Sequence, residues 1–397
     1  MALNDIIFNR NKSGLGAPLL DKDHISGLVY YNDTAPTGFA TDNIKKVFSL
    51  EQAEDLGILD SVAIHAVEHY HVKEFFEKNP KGELWIGYFA EPADPTTPDF
   101  AEVKTMQEFT VGEIRQIGVL YLADGSDATT IPLRVTALQA QLTALAGDHM
   151  PVNAVFAPDI FGLDLTTLPD LRALTANNVS VTIGQSGNGV GASLYTTTLK
   201  SVTDLGAKMG AISAANVNES IGWVEKFQMV TASSEFNEPA FSNGDFNKGI
   251  PKTQLNAIDD LGYIFLINYI GYSGTFNSDS YTAVATSNDL ATIENNRTID
   301  KAVRTTRTLL MPKLSSPVFV GADGSLTYDT IAVFKGLCDQ GLAQMESNGE
   351  LSAFQTIIDP SQDVVTSGEV TITLELVPVG VARSIIVNIG FVPQINS

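Results

Sequence analysis

Residues 369–397, EVTITLELVPVGVARSIIVNIGFVPQINS, alternate apolar and polar side chains twice over. Val370, Ile372, Leu374 and Leu376 fall on one side of an extended chain and Thr371, Thr373 and Glu375 on the other, the period of a strand with one buried face. Pro378 and Gly380 punctuate a join. Ile385, Val387, Ile389 and Phe391 then repeat the pattern against Ser384, Ile386, Asn388 and Gly390, and Pro393 ends it. The stretch therefore reads as two successive strands, with the chain finishing on the second. They form either a closing hairpin or, for the last strand, an element lent to a neighbouring subunit, because an open sheet edge accepts any chain with free N–H and C=O groups.

Upstream of this pair, ATIENNRTIDKAVRTTRTLLMPK (291–313) reads as a helix, or two continuous helices, stopping at Pro312. Within 297–313 five bases, Arg297, Lys301, Arg304, Arg307 and Lys313, stand against one acid, Asp300, in a chain that is otherwise acidic. Such a stripe is either a solvated face or the place for an acidic partner or the acidic part of a sister subunit. Pairing within the helix competes with both, Arg304 with Asp300 and Arg297 with Glu294. A loop over 316–325 leads to a second helix, Tyr328 to Met345, whose apolar stripe is Ile331, Phe334, Leu337, Cys338, Gly341, Leu342 and Met345. Phe354 to Ile358 precedes the terminal pair.

Further out, the middle of the chain repeats strand and helix: strands at 117–122, 152–156 and 179–183, helices at 133–145, 168–175 and 199–209. Nearly continuous Val, Ile and Leu strands separated by helices imply a parallel sheet covered on both faces, an α/β domain, with mixed α+β character at the C-terminal end. Tyr263 to Ile270 reads as one more buried strand, and Ser233 to Lys252, rich in Asn, Ser, Gly, Phe and Pro, as an exposed excursion. Toward the N-terminus, 84–89 and 25–31 are strands and 60–78 a helix. Ser49 with Gln52 has capping-box spacing for a helix ending near Gly57. Residues 1–20 form an arm, whose patch Ile6, Ile7 and Phe8 is too small for a core of its own.

The 397 residues call for two or three domains. With 24 Lys plus Arg against 46 Asp plus Glu, the net charge of −22 argues against nucleic acid and against an anionic membrane. The single cysteine, Cys338, excludes an intrachain disulfide and is expected to be a buried, inert thiol. The N-terminal MALNDIIFNRNKSG lacks a signal-peptide core and no apolar run would span a bilayer, so synthesis in the cytoplasm and no membrane insertion are expected.

Two constellations invite a chemical reading. Gly184, Gly187, Gly189 and Gly191 follow a strand as a phosphate-cradling loop would, yet no Gly-Lys-Ser/Thr follows and no helix is expected to open directly after it. His65 and His69 are i,i+4 neighbours beside Glu68 and His71, but a zinc site needs a third ligand, and only His24 and His149 remain. Ordinary surface histidines are the alternative. No catalytic residue, cofactor or metal is expected.

The order of the C-terminal segments, ENNRTIDKAVRTTRTLL, TYDTIAVFKGLCDQGLAQM and GEVTITLELVPVGVARSIIVNIGF, resembles the C-terminal domain of the sheath proteins of contractile phage tails and related contractile injection systems. VFSLEQAEDLGI and HYHVKEFFEKNPKGELWIGYF resemble the N-terminal part of the same family. The resemblance implies a multi-domain subunit: an arm at 1–20, core residues 21–115, an outward-facing α/β domain at 116–285 and a C-terminal core domain at 286–397. It implies arms donated to neighbours, through Ile6, Ile7 and Phe8 at one end and Ile385, Val387, Ile389 and Phe391 at the other. Its partners would be copies of itself in stacked helical rings, an inner tail tube, and baseplate and tail terminator proteins. The particle, assembled in a bacterial cytoplasm, would be a virion tail or an extracellular contractile device. On this reading Arg297, Lys301, Arg304 or Arg307 faces the tube or a sister subunit. Two other readings share parts of the pattern, a static capsid or surface-array protein and an α/β metal-dependent hydrolase around His65, His69 and Glu68.

Overall fold

The computed structural model describes residues 22–391. β1 (Ile25–Tyr31) is buried along its whole length. β2 (Ile44–Val47) follows, then α1 (Leu50–Asp55), α2 (Ala66–Lys78) and β3 (Glu83–Phe89). Ser49 caps α1 by accepting from the Gln52 amide, while Gln52 Oε1 reaches back one residue past the cap and accepts from the Phe48 amide. α3 (Ala101–Phe109), β4 (Gln116–Tyr121), α4 (Thr130–Gly147), β5 (Asn153–Pro158), β6 (Thr175–Ala176) and β7 (Val179–Val181) continue the alternation. The main sheet has the order β2-β3-β1-β4-β5-β7, parallel except for β2 at the edge.

Period-2 alternation divides this sheet between two cores. Ile25, Val29, Tyr31, Ile117, Val119, Tyr121 and Phe156 face α3 and α4, which bring Met106, Val135, Leu138 and Leu142. Leu28, Tyr30, Leu84, Ile86, Leu120 and Val155 face the other way, toward Val72 and Phe75 of α2 and toward α6 (Leu205–Ala214), which brings Leu205 and Met209. α6 lies against α2 at backbone distance. A Cβ on Gly206 would fall 2.1 Å from the His71 carbonyl oxygen and one on Gly210 2.5 Å from that of Phe75. Only glycine at both positions, one helical turn apart, permits this crossing.

The expected parallel sheet covered on both faces is therefore present, while several neighbouring expectations need correction. Strands from both sides of residue 115 share this one sheet. Residues 168–175 are not a helix. Pro169 interrupts, Asp170 accepts from the Arg172 amide, and only a 3-10 turn, Leu171–Ala173, forms before β6. The helix expected from Leu199 starts late at Leu205, because Leu199 is in the left-handed region (φ 53°) and terminates α5 (Gly189–Thr198). β8 (Gly184–Ser186) pairs with β9 (Pro239–Phe241), and this buries the segment expected to be an exposed excursion: Glu235, Phe236, Phe241 and Asn247 are all inside. After α7 (Lys252–Asp260), Ile264 makes a single bridge to Thr182 at the sheet edge. Instead of a further sheet strand, β10 (Leu266–Tyr269) folds back on β11 (Tyr272–Asn277) through Gly271.

β12 (Ala283–Val284) pairs with β6, and the C-terminal unit begins. α8 (Ile293–Leu310) packs on α9 (Tyr328–Ser347), which is capped by Thr327. β13 (Ala353–Ile357), α10 (Val364–Ser367) and β14 (Thr373–Val377) follow. Ala302, Leu342, Met345 and Leu351 form a small separate core against Phe354, Leu374 and Leu376. Cys338 is buried, which raises its thiol pKa. β14 pairs with β13, not with the residues that follow it.

At the α2–α6 contact, Glu74 is fully buried and neither carboxylate oxygen meets a hydrogen-bond donor among the described residues. Burial, aided by Glu77 and opposed by Lys73, pushes its pKa to about 8. The folded chain therefore holds a proton there that the unfolded chain releases near pH 4.5, so stability falls as pH rises from that point to about 8. His71, driven down to about 3 by burial, opposes this slope only below its unfolded value of 6.5. Glu74→Gln should raise the melting temperature at neutral pH. Thermal melts should show its advantage growing between pH 6.5 and 8 by up to about 1.4 kcal/mol per pH unit, whereas a pH-independent difference would contradict the assignment.

Candidate assembly surfaces

The two chemical readings lose their geometry first. His65, in a 3-10 turn, packs edge-on against Tyr88, and His69 Nε2 lies 2.9 Å from Glu54 Oε1. His71 is sealed beneath α6, whose Gly206 amide donates to its Nδ1 at 3.3 Å. All three are buried, not surface histidines, and they address different partners. Among the described residues no group of three or more His, Cys, Asp or Glu could hold a metal ion, and no helix is long and apolar enough to cross a membrane.

In the glycine loop, a helix does open: α5 starts at Gly189. Its first amides are taken by the chain's own anion, for Val190 N donates to Glu235 Oε1 at 2.5 Å and Gly191 N to Oε2 at 3.3 Å. A helix N-terminus attracts negative charge, and here Glu235 fills the place a phosphate would occupy. Gly189 is required twice over, by φ 69° and because a Cβ would fall 2.0 Å from Glu235 Oε1.

The basic helix is divided between two faces. Arg297 is 2% exposed, and its guanidinium donates to the main-chain oxygens of Ala215 (3.1 Å), Asn216 (3.1 Å) and Asp23 (3.2 Å). It thereby serves the carbonyl end of α6, where a cation is favoured, and this inward use corrects its expected place on a partner-facing stripe. Lys301 bonds Asp23 at 2.6 Å and Glu350 at 2.5 Å, and Arg304 bonds Asp23 Oδ1 at 2.9 Å. The expected pairs inside the helix do not form hydrogen bonds. Asp300 accepts from Asn153 instead, its carboxyl raised to about 6 by burial, and Glu294 turns to Arg383. Arg307 alone of the four is exposed, in line with exposed Val303 and Ile299 one and two turns back.

Of the two arms, Ile6, Ile7 and Phe8 lie outside the described residues. Ile385, Val387, Ile389 and Phe391 are 77–109% exposed and belong to no strand, since 378–391 has no regular structure. The closing hairpin is thus absent among the described residues, and an alternating apolar run stands exposed without ladder partners among them. β13 and β14 meanwhile form a two-stranded sheet with both outer edges open among the described residues.

At the root of this run is a contact the sequence reading missed. Arg383 Nε donates to both oxygens of Asp279 at 3.0 Å, and Nη2 donates to Glu294 Oε1 at 2.5 Å. The available signal was that Arg383 is the only Lys or Arg after Lys335.

The family model described as DUF2586, N-terminal domain, matches residues 3–281, and that described as DUF2586, C-terminal domain, matches residues 289–396. The chain belongs to the DUF2586 family. No curated protein matches this DUF2586 chain. Its fold matches a chain of the cryo-EM structure of the anti-feeding prophage baseplate, with TM-score 0.63 and 15% identity over 98% of this chain and 99% of that one. It also matches a chain of the PVC sheath complex of an extracellular contractile injection system in the contracted state, with TM-score 0.64 and 10% identity over 98% of each. The sheath tail protein Lin1278 from Listeria innocua gives TM-score 0.53 and 8% identity over 91% and 96%. At these identities the likeness is one of fold, and it runs the length of the DUF2586 chain, including the middle region.

The two faces of α8 make opposite demands on stability. Arg297→Met should destabilise the chain by about 1.5–3 kcal/mol, the loss of charged hydrogen bonds to buried carbonyls. Arg307→Ala should change it by less than about 0.5 kcal/mol, as for an exposed site. Urea denaturation of both variants checks the contrast, and equal costs would refute it.

Proposed function

We propose that this chain is a non-enzymatic sheath subunit. It polymerises with copies of itself in stacked helical rings around an inner tube, between baseplate and tail terminator proteins, and contracts to drive the tube through a target envelope. The observation that carries the reading is the exposed alternating run 385–391 on a chain whose whole fold matches that of a sheath-complex chain. A monomer gains nothing from holding Ile385, Val387, Ile389 and Phe391 in water, whereas a neighbour's open sheet edge would bury them and pair their backbone. The arms at 1–20 and 384–391 then link subunits while the rigid bodies repack between two helical arrangements, a bistable interface change that needs no nucleotide. The particle would be a phage tail or an extracellular contractile device, assembled in a bacterial cytoplasm.

Arg307 with Ile299 and Val303 supplies the outward face of α8, and we assign this face to the inner tube or a sister subunit. Exposed charge pairs contribute about 0.2–1 kcal/mol each, so repetition along a tube makes them count while rotation of subunits can break every copy.

Removal of 1–20, or of 384–397, should leave soluble, folded chains that form no tubes in electron micrographs, while the intact chain forms tubes of two lengths and diameters. Normal tubes from both truncated chains would sink the arm assignment, and closed shells or flat lattices from the intact chain would favour a static coat. Arg307→Glu should leave the melting temperature unchanged and impair assembly most at low salt, where screening is weakest. Unimpaired assembly at low salt would remove the α8 face from the interface.

A further inference from the structure

The exposed run does not leave the subunit freely. Between the end of β14 at Val377 and the apolar residues from Ile385, the chain is caught by Arg383. Its two acceptors are nearly buried and come from different parts of the fold. Asp279 follows β11 in the segment matched by the N-terminal family model, and Glu294 stands in the first turn of α8. Ser280 links them, with its hydroxyl 2.6 Å from Glu294 Oε2 and its amide 2.7 Å from Asp279 Oδ1. The guanidinium presents a planar fork that satisfies both carboxylates at once, which an ammonium group matches poorly. Beside this contact, Val379, Val381 and Ile385 border a groove of about 880 Å³ whose other wall carries Trp223, Tyr269 and Tyr272.

We infer that Asp279 and Glu294 are a socket for Arg383 that fixes the root of the C-terminal arm to its own subunit. Residues 384–391 are then the exchanged part, and the receiving edge lies on a second copy of this chain. Two buried carboxylates left without their cation are strongly unfavourable, so the root stays seated while the rest of the arm changes partner. Eight extended residues reach about 26–29 Å, which limits how far the acceptor edge can stand from the socket in either arrangement of subunits. The arm is thus a tether of set length, anchored ionically at one end and by backbone pairing at the other. The second copy as acceptor rests on the sheath reading, while the socket itself does not.

Trypsin digestion of the full-length chain tests the socket, because the peptide bond after Arg383 is cut only when that side chain leaves it. The bond after exposed Lys248 serves as reference. In an Asp279→Asn/Glu294→Gln chain, cleavage after residue 383 should be at least tenfold faster than in the natural chain, with the Lys248 bond unchanged. Arg383→Lys, which keeps a positive charge over both carboxylates, should fold normally and be cut at an intermediate rate, and it carries the test alone if the double variant does not fold. Equal rates in natural and folded variant chains would overturn the socket. These variants keep every arm residue from 384 onward, so loss of ordered tubes in them is expected, and tubes like those of the natural chain would overturn the tether. A natural chain that makes no tubes would instead refute the sheath reading and leave the cleavage result standing.

Discussion

Three main-chain carbonyls, those of Asp23, Ala215 and Asn216, converge on the guanidinium of Arg297, a deeply buried polar tie between the two halves of this chain. One belongs to the approach to β1 and two to the end of α6, so this side chain ties α8 to both the sheet and the helix that covers it. Lys301 and Arg304 extend the contact along the same helix face, since positions 297, 301 and 304 are spaced four and three apart. Asp23 receives both cations. The helix is amphipathic in an inverted sense: its inward stripe is charged and its outward stripe includes Ile299 and Val303.

That inversion explains what the sequence disclosed and what it hid. Strands such as ISGLVYY announce themselves because every residue fits a buried sheet, and Ser49 with Gln52 forms a cap through neighbours in sequence. The contractile-sheath likeness was legible from segment order, and the full-length fold match agrees with it. The basic residues of α8 were visible too, but their acceptor is Asp23, and no local rule links residues that far apart. Glu235, which fills the end of α5, is likewise remote from the glycines it meets. The misjudged segment 233–252 has the composition of a loop, yet it is buried because its polar groups find partners inside: Asn247 donates to the Leu266 carbonyl and Glu235 accepts from two helix amides. The Leu168 helix failed for a local reason that could have been read, Pro169 followed by an aspartate that caps a tighter turn.

The placement of charge bears on how copies can approach. A chain at −22 has turned three of its cations inward along α8, and the Lys208–Asp204 pair is sealed beside the main sheet. Like-charged copies repel over about 8 Å at physiological ionic strength. On the proposed sheath reading, association would therefore rest on short-range terms, backbone pairing and apolar burial, with exposed cations such as Arg307 deciding register more than strength.

The run Ile385–Phe391 also has a consequence for the chain before it meets any partner. Seven residues with five large apolar side chains, no charge and no ladder partner among the described residues are the composition from which stacked cross-β fibrils grow. Ordered polymerisation and amyloid-like misassembly would begin from the same backbone groups. Asn388 and Gly390 weaken self-stacking, Pro393 follows closely, and the acidic surface keeps copies dispersed. If the proposed arm exchange holds, what separates the two fates is kinetic: each new chain would have to find a receiving edge sooner than it finds another chain's naked arm.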